Sequence, residues 1–365
     1  TIDPPTFAGT LVSDNTVCTG INTGTLKLSG YTGAIIRWEM SVDSGANWTS
    51  IASTASSLVY NNMTATTRYR VLVQSGVCTA LYSNTIVITV DPASVPGKLT
   101  GNARVCQTSN TGTLNLGNHT GTVTRWEFST DKGVSWTPIN NTTNTHTYTN
   151  LGNTSWFRVL VQSGICSAAY SDTVIITVDP TTVAGTLAGD TAVCSTGNNG
   201  RIILSGRTGS VIHWETSADN GITWSIVANT ADTLLYDNLT ATKRYRVLVQ
   251  SGTCASKYSD TVTITVAQPV TVANAGPDQV LCDANTSATL LANTPASGRG
   301  KWSFVSGPSS VSFADTLSPG TVVSGLRLGT YQLTWTISNN VCANSANTVT
   351  VKIDQVRTGF KLSSV

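Results

Sequence analysis

Charge is scarce in this sequence of 365 residues: Asp, Glu, Lys and Arg together make up 11%, and the formal net charge is +2. No Lys/Arg run exists that could track a phosphate backbone, so no nucleic-acid partner is expected. No apolar run approaches the roughly 20 residues that a membrane helix needs, and no helical period survives anywhere. The three histidines, His119, His146 and His213, fall at unrelated places. Without a Cys-x-x-Cys the spacings that build zinc sites are missing. Also absent are a Ser/His/Asp order, a close carboxylate pair and a phosphate-binding loop, so neither a catalytic residue nor a cofactor is expected. Calcium at the domain junctions would be held through Asp91 or Asp179, and no acidic cluster supports it. The opening TIDPPTFAG carries no basic and apolar leader, as expected of a mature or excised segment.

What the chain has instead is repetition. The phrase RWEMSVDSGANW at 37–48 returns as RWEFSTDKGVSW at 125–136 and HWETSADNGITW at 213–224. Cys18, Cys106, Cys194 and Cys282 lie 88 residues apart, and a second cysteine follows each after 60: Cys78, Cys166, Cys254 and Cys342. Trp38, Trp126, Trp214 and Trp302 keep the same step. Four copies are therefore present, divided at 1–91, 92–179, 180–267 and 268–357, with a tail at 358–365.

Within copy one the runs GTLV, GTLKLS, AIIRWEMS, NWTSIA, SLVY, RYRVLVQ and TIVITV are short, rich in β-branched and aromatic residues, and bounded by Gly, Asn, Asp or Ser. They predict about seven antiparallel strands per copy. A Trp on the third strand makes each copy an immunoglobulin-like or fibronectin-like β-sandwich. The fold class is all-β: four tandem sandwich domains forming an elongated rod, stiffened at the joints by Pro92, Pro180 and Pro269. At roughly 35 to 40 Å per unit, four copies would reach about 150 Å. Alternation predicts Leu26, Leu28, Ile36, Trp38, Tyr69, Val71 and Val73 in the core of copy one, with Tyr69 opening its strand as a tyrosine corner. Phe157 takes that place in copy two.

Three features carry more specific expectations. In SxDxGxxW the Asp accepts backbone N–H bonds across a tight turn, which makes the phrase a hairpin. Its likeness to the Asp-box of propeller enzymes is discounted, because a propeller blade would repeat it about every 40 to 50 residues. The only glutamates, Glu39, Glu127 and Glu215, follow the core Trp and so face away from it. They are expected to pair across strands with Arg70, Arg158 and Arg246 as exposed ion pairs. All eight cysteines are expected in structural disulfides, since regular pairs without metal spacing belong to an oxidising compartment. Pairing within each copy is the leading expectation. Yet Cys18 precedes the second strand while Cys78 follows the sixth, at opposite ends of a standard sandwich. Either NTVC runs as an extra edge strand beside the last strand and brings Cys18 towards Cys78, or Cys18 bonds Cys166 of the next copy; free thiols are a third alternative.

The frame VC, GTLxLSG, RWExSxDxGxxW, LTATxxYRVLVQSGxC and YSxTVxITV resembles the immunoglobulin-like repeats of large cell-surface and gliding-motility adhesins of the Bacteroidetes. The NAGPDQ, GxWSFVSGP and GTYQLTWTISNNVC segments of copy four resemble the PKD-like modules that accompany them. Copy four departs from better-known PKD domains in lacking the GDG-type turn. The resemblance implies an extracellular place, on the cell surface or secreted, with export by the type IX secretion system. Its implied partners are other domains of a larger surface protein, and extracellular polysaccharide or surfaces. It also implies O-glycosylation at Asp-Thr-aliphatic sites, matched at Thr173, Thr191, Thr233, Thr261 and Thr316. The expected function is a non-catalytic structural or adhesive stalk. The alternative is carbohydrate-binding or spacer modules of a secreted polysaccharide-degrading enzyme, for which Tyr31 and Trp156 are the candidate aromatic platforms. The ligand-binding residues themselves stay unknown.

Overall fold

The computed structural model describes residues 2–12, 15–282 and 284–355. The tail at 358–365 lies outside the described residues. No α-helix occurs among them. The chain divides after Thr181 into two compact units. Copies one and two lie in the first unit, copies three and four in the second.

Among the described residues copy one has nine strands rather than seven: β1 (Thr10–Val12), β2 (Asn15–Cys18), β3 (Thr23–Ser29), β4 (Ala34–Ser41), β5 (Thr49–Ile51), β6 (Ser57–Asn61), β7 (Thr67–Gln74), β8 (Leu81–Tyr82) and β9 (Ile86–Asp91). One sheet runs β1-β3-β6; the other runs β2-β9-β7-β4-β5, with β8 also on β7. Copies two and three repeat both sheets strand for strand. The short run NTVC forms the additional edge strand β2, parallel to β9, with Cys18 opposite Asp91. Such an edge is available because β9 needs β7 on one side only.

Alternation builds the core between the sheets. Leu26 and Leu28 of β3, with Tyr69, Val71 and Val73 of β7, close around Trp38, which is fully buried. Its indole Nε1–H donates to the carbonyl of Ala55 at 2.9 Å, and Trp126 and Trp214 do the same to Thr143 and Ala231. A buried indole needs that acceptor.

Ile36 is a correction. It is exposed, and Ile35 takes the core position, because a bulge between Ile35 and Arg37 shifts the pairing of β4 with β7. One inserted residue reverses the faces on its far side. The tyrosine corner is a second correction. The Tyr69 hydroxyl meets the Met63 sulfur at 4.0 Å rather than a backbone group. That corner forms in copy four, where the Tyr331 hydroxyl accepts from the Arg327 N–H at 2.7 Å and contacts Ser309 Oγ at 2.6 Å.

Copy four has a four-stranded sheet of Gln279–Cys282, Ser345–Asp354, Gly329–Ser338 and Arg299–Ser306, and a three-stranded one of Ser287–Thr289, Val322–Ser324 and Ser312–Phe313. Three repeat lengths on from Val71 stands Trp335, whose ring lies 5.2 Å from that of Trp302. Room for it comes from Gly300, where a Cβ would fall 2.0 Å from the Trp335 ring.

Glycine makes the same kind of space in the other copies. A Cβ on Gly112 would sit 2.3 Å from the Tyr148 hydroxyl, over a ring that is itself buried, whereas a Cβ on Gly152 would meet nothing within 4 Å. Gly112→Ala is therefore expected to cost about 1 to 3 kcal/mol in denaturant unfolding through overpacking. Gly152→Ala should be neutral or stabilise by up to about 1 kcal/mol. Equal effects of the two changes would contradict this packing.

Candidate functional site

Two constructions recur from copy to copy: a junction built around a disulfide, and a charged aromatic cluster on the outer face of the larger sheet.

The junction begins with β2. Running parallel to β9, it delivers Cys18 beside Asp91, the last residue of β9. Asn22 holds the exit of the strand: its amide donates to the carbonyls of Cys18 and Met63, each at 2.9 Å, and accepts from the Met63 N–H. From copy two the loop 163–166 meets this end. The Ile165 N–H donates to Asp91 Oδ2 at 3.0 Å, and the Ser163 N–H to Ser94 Oγ at 2.9 Å. Gly164 has φ +49°, and a Cβ there would fall 1.8 Å from Asp91 Oδ2. Cys166, 2% exposed, is joined to Cys18 with the Cα atoms 5.0 Å apart. In the second unit Cys194 is joined to Cys342, Cα to Cα 4.9 Å, across the same sequence separation of 148. Cys106 and Cys254 are also disulfide-bonded.

The leading expectation of pairing within a copy is thus corrected, and Cys78 and Cys282 carry free thiols in this chain. The reason is distance along the sheet. Tyr69 lies opposite Ile86. From that level Cys18 lies five residues one way, beside Asp91, while the loop bearing Cys78 lies at least as far the other way. The separation is roughly 30 Å or more, against about 7 Å for a bridge.

The second construction grows from the hairpin phrase. Asp43 accepts from the Asn47 N–H at 2.9 Å, Asn47 Nδ2 at 2.7 Å and Ser41 Oγ at 2.6 Å, and Gly45 turns with φ +96°. These bonds hold the Asp43 carboxyl well below its usual range. Asp131 behaves likewise, through Ser129 and Ser135. Asp219 is lowered to about 2 by Thr223 and Ser217. The hairpin returns Trp48 to the sheet, where its Nε1–H donates to the Gly45 carbonyl at 3.0 Å. Its ring then lies 4.0 Å from the Arg70 guanidinium, and the ring of Tyr82 lies 3.9 Å from it on another side.

Arg70 in turn meets Glu39 at 2.7 Å, in the cross-strand register expected, and Arg158 and Arg246 meet Glu127 and Glu215 in the same way. The glutamates are not exposed, however. Glu39 is 4% accessible, and Arg37 and the Tyr82 hydroxyl reach it as well, at 2.7 and 3.0 Å. Burial works against its charged form, but the bonds from Arg37, Arg70 and Tyr82 outweigh it and hold the carboxyl below its ordinary value. In copy three His213 replaces the first arginine, 3.1 Å from Glu215. Both oxygens of each carboxylate are engaged by side chains of its own module, which is the arrangement of a structural clamp. The hairpin phrase places Trp48 on the returning strand, but neither its contact with Arg70 nor the parts of Tyr82 and Arg37 follow from the sequence reading, although the 88-residue recurrence of the tryptophan and tyrosine is a signal for them. In copy four Ser303 and Thr334 face one another in the same register.

Tyr31 is half-buried and packs on the core of copy one. Trp156 is half-buried as well and borders a shallow depression with Lys132, Asn153 and Ile175. Thr173, Thr191 and Thr261 are exposed, while Thr233 and Thr316 are half-buried. The aspartates before them have structural work of their own. Asp172 accepts from the Leu99 N–H at 2.8 Å and Asp260 from the Leu187 N–H at 2.7 Å, each tying the first strand of its copy to the sandwich.

These features define a chain of tandem all-β sandwich modules. It belongs to the family described as "Domain of unknown function (DUF8696)", whose profile matches residues 7–92, 95–180 and 183–268. No curated protein sequence matches the chain. Among solved structures it is similar to a Ca2+-stabilized adhesin with which an Antarctic bacterium binds ice (11% identity over 96% of this chain and 100% of that one, TM-score 0.32). It is also similar to the titin I-band fragment I67–I69 (12% identity, 71% and 96% covered, TM-score 0.39). A further likeness is to the PKD domain of the KIAA 1837 protein (27% identity, 24% and 91% covered, TM-score 0.22).

The depressed aspartates set an acid limit on stability. Asp219 titrates at about 2 in the fold against an ordinary value of 3.8. Its contribution is therefore complete above pH 4 or so and is lost as pH falls towards 2; Asp43 and Asp131 shift the same way. Replacing all three by Asn should lower the melting temperature at neutral pH and flatten its fall between about pH 4 and 2. An acid limb as steep as that of the parent chain would deny the turns this role.

Proposed function

We propose that this chain is a non-catalytic structural and adhesive segment of a secreted bacterial surface protein, made of sandwich modules divided after residues 91, 179 and 267 and, within each unit, joined by a disulfide across the junction. The observation that supports it most directly is the bond from Cys18 to Cys166 with its counterpart from Cys194 to Cys342. A bond within a module would serve that module's own stability. One that crosses a junction serves the connection.

In the chain-entropy account a closed loop of that length stabilises the folded state by about 5 kcal/mol. It also prevents the residues between the two cysteines from being drawn out under tension. The disulfides, typical of oxidising compartments, agree with a place outside the cell. The resemblance to Bacteroidetes adhesins extends this reading to type IX export and gliding-motility surfaces. It also assigns O-glycans to the exposed Thr173, Thr191 and Thr261 and the half-buried Thr233 and Thr316, which the intact mass of the secreted protein would reveal.

Single-molecule pulling by the two ends is the direct test of the mechanical part. Full reduction should add extensible length on the order of 500 Å for the Cys18–Cys166 loop alone, at about 3.4 Å per residue. Equal contour lengths before and after reduction would sink the coupling. The adhesive part is tested by binding to cellulose, chitin and agar. Saturable binding to one of them that Trp156→Ala abolishes would instead favour a saccharide-binding module of a degradative enzyme.

A further inference from the structure

The free thiol of Cys78 sits in a loop built like the one that carries Cys166. At Cys166 the acceptor side of the junction has four parts. Asp91 receives the Ile165 N–H, Ser94 receives the Ser163 N–H at 2.9 Å, Gly164 leaves no room for a side chain, and the cysteine sulfur rests 3.2 Å from the Pro92 carbonyl. One repeat earlier the same four parts are in place. Asp3 Oδ2 receives the Val77 N–H at 3.3 Å, and Thr6 Oγ1 receives the Ser75 N–H at 3.0 Å. Gly76 has φ +52°, and a Cβ on it would fall 1.9 Å from Asp3 Oδ2. The Cys78 sulfur lies 3.6 Å from the Pro4 carbonyl.

A second, independent feature marks the same end. Ile2 occupies the place that Val90 holds one repeat later. Val90 packs against the core of the module before the junction. An aliphatic residue at the matching position is what the end of a module's last strand requires there.

We propose that Cys78 is a disulfide acceptor for a further module of this family, joined in line so that its last strand runs into Ile2 and Asp3 and its cysteine-ended edge strand stops beside Asp3. The parallel register sets that geometry. Cys18 lies opposite Asp91, so the incoming cysteine lies opposite Asp3 and reaches Cys78 as Cys18 reaches Cys166. Bond formation joins the two sulfurs with loss of two protons and two electrons. The electrons pass by thiol–disulfide exchange to a small disulfide oxidant such as oxidised glutathione, which leaves as two thiols. The inference stands on the junction alone and does not depend on the adhesive role.

The test adds one module to the full chain. Residues 92–178 are joined ahead of Asp3, with Cys166→Ser in the added copy so that its single cysteine is Cys106. A second fusion uses residues 4–90 with Cys78→Ser in the added copy, leaving Cys18, so that misfolding of one module does not decide the result. After oxidation in a glutathione buffer, alkylation and peptide mapping count the thiols. The parent should show Cys78 and Cys282 free; each fusion should show Cys282 alone, with the added cysteine joined to Cys78. A Cys78→Ser version of each fusion should return the added cysteine to the free pool. Alkylation of both Cys78 and the added cysteine in a fusion whose added module resists trypsin overturns the proposal. So does recovery of Cys78 joined to Cys282 of a second chain in its place.

Discussion

The parallel pairing of one four-residue strand decides how this protein is held together. Strand β2 adds little apolar burial, with Val17 alone packed against the core, and no pairing between the other strands runs through it. Its effect is positional: it carries a cysteine from the start of the sandwich to its far end. There the last strand is about to become the linker, and the loop of the next module comes into reach. Everything at the junction follows from that delivery: Asp91 is both the neighbour of Cys18 and the acceptor that fixes the loop bearing Cys166.

The outer face of the larger sheet solves a different problem. A sheet with one solvated face is secured on that side only by what its side chains do to each other. Here the chain places a carboxylate between two cations, stacks one of those cations against two aromatic rings, and supplies one ring from a hairpin pinned by its own aspartate. The result is a polar layer as closely partnered as the apolar one beneath it, built from residues of a single module. The cost of burying the glutamate is offset locally, so the face can repeat without reference to its neighbours. Copy four dispenses with the cluster and with the hairpin strand. It relies instead on ten-residue strands at Gly329–Ser338 and Ser345–Asp354 and on a second core tryptophan.

Much of this was legible in the residues. The 88-residue step, the sandwich class, the core tryptophan and the Glu39 to Arg70 register all follow from periods of two and from spacing, which are local properties. What was not legible is non-local or breaks a period. The bulge before Arg37 exchanges Ile35 for Ile36, and strict alternation has no means of announcing it. The depth of Glu39 depends on Trp48 and Tyr82, which approach from a hairpin and a two-residue strand. The cysteine partners depend on whether a run of four residues pairs with the first strand or the last, and propensity is silent on that choice. The conflict itself was visible, since Cys18 and Cys78 belong to opposite ends of any ordinary sandwich.

The offset between the two cysteines of a module has a genetic consequence. Because the bond at a junction is defined by the residues on either side of it, and not by a partner within the same copy, a recombination event that inserts or deletes one whole 88-residue unit restores a matched donor and acceptor at the new seam. The array can therefore lengthen or shorten in whole 88-residue steps while each such step brings its own pair of cysteines.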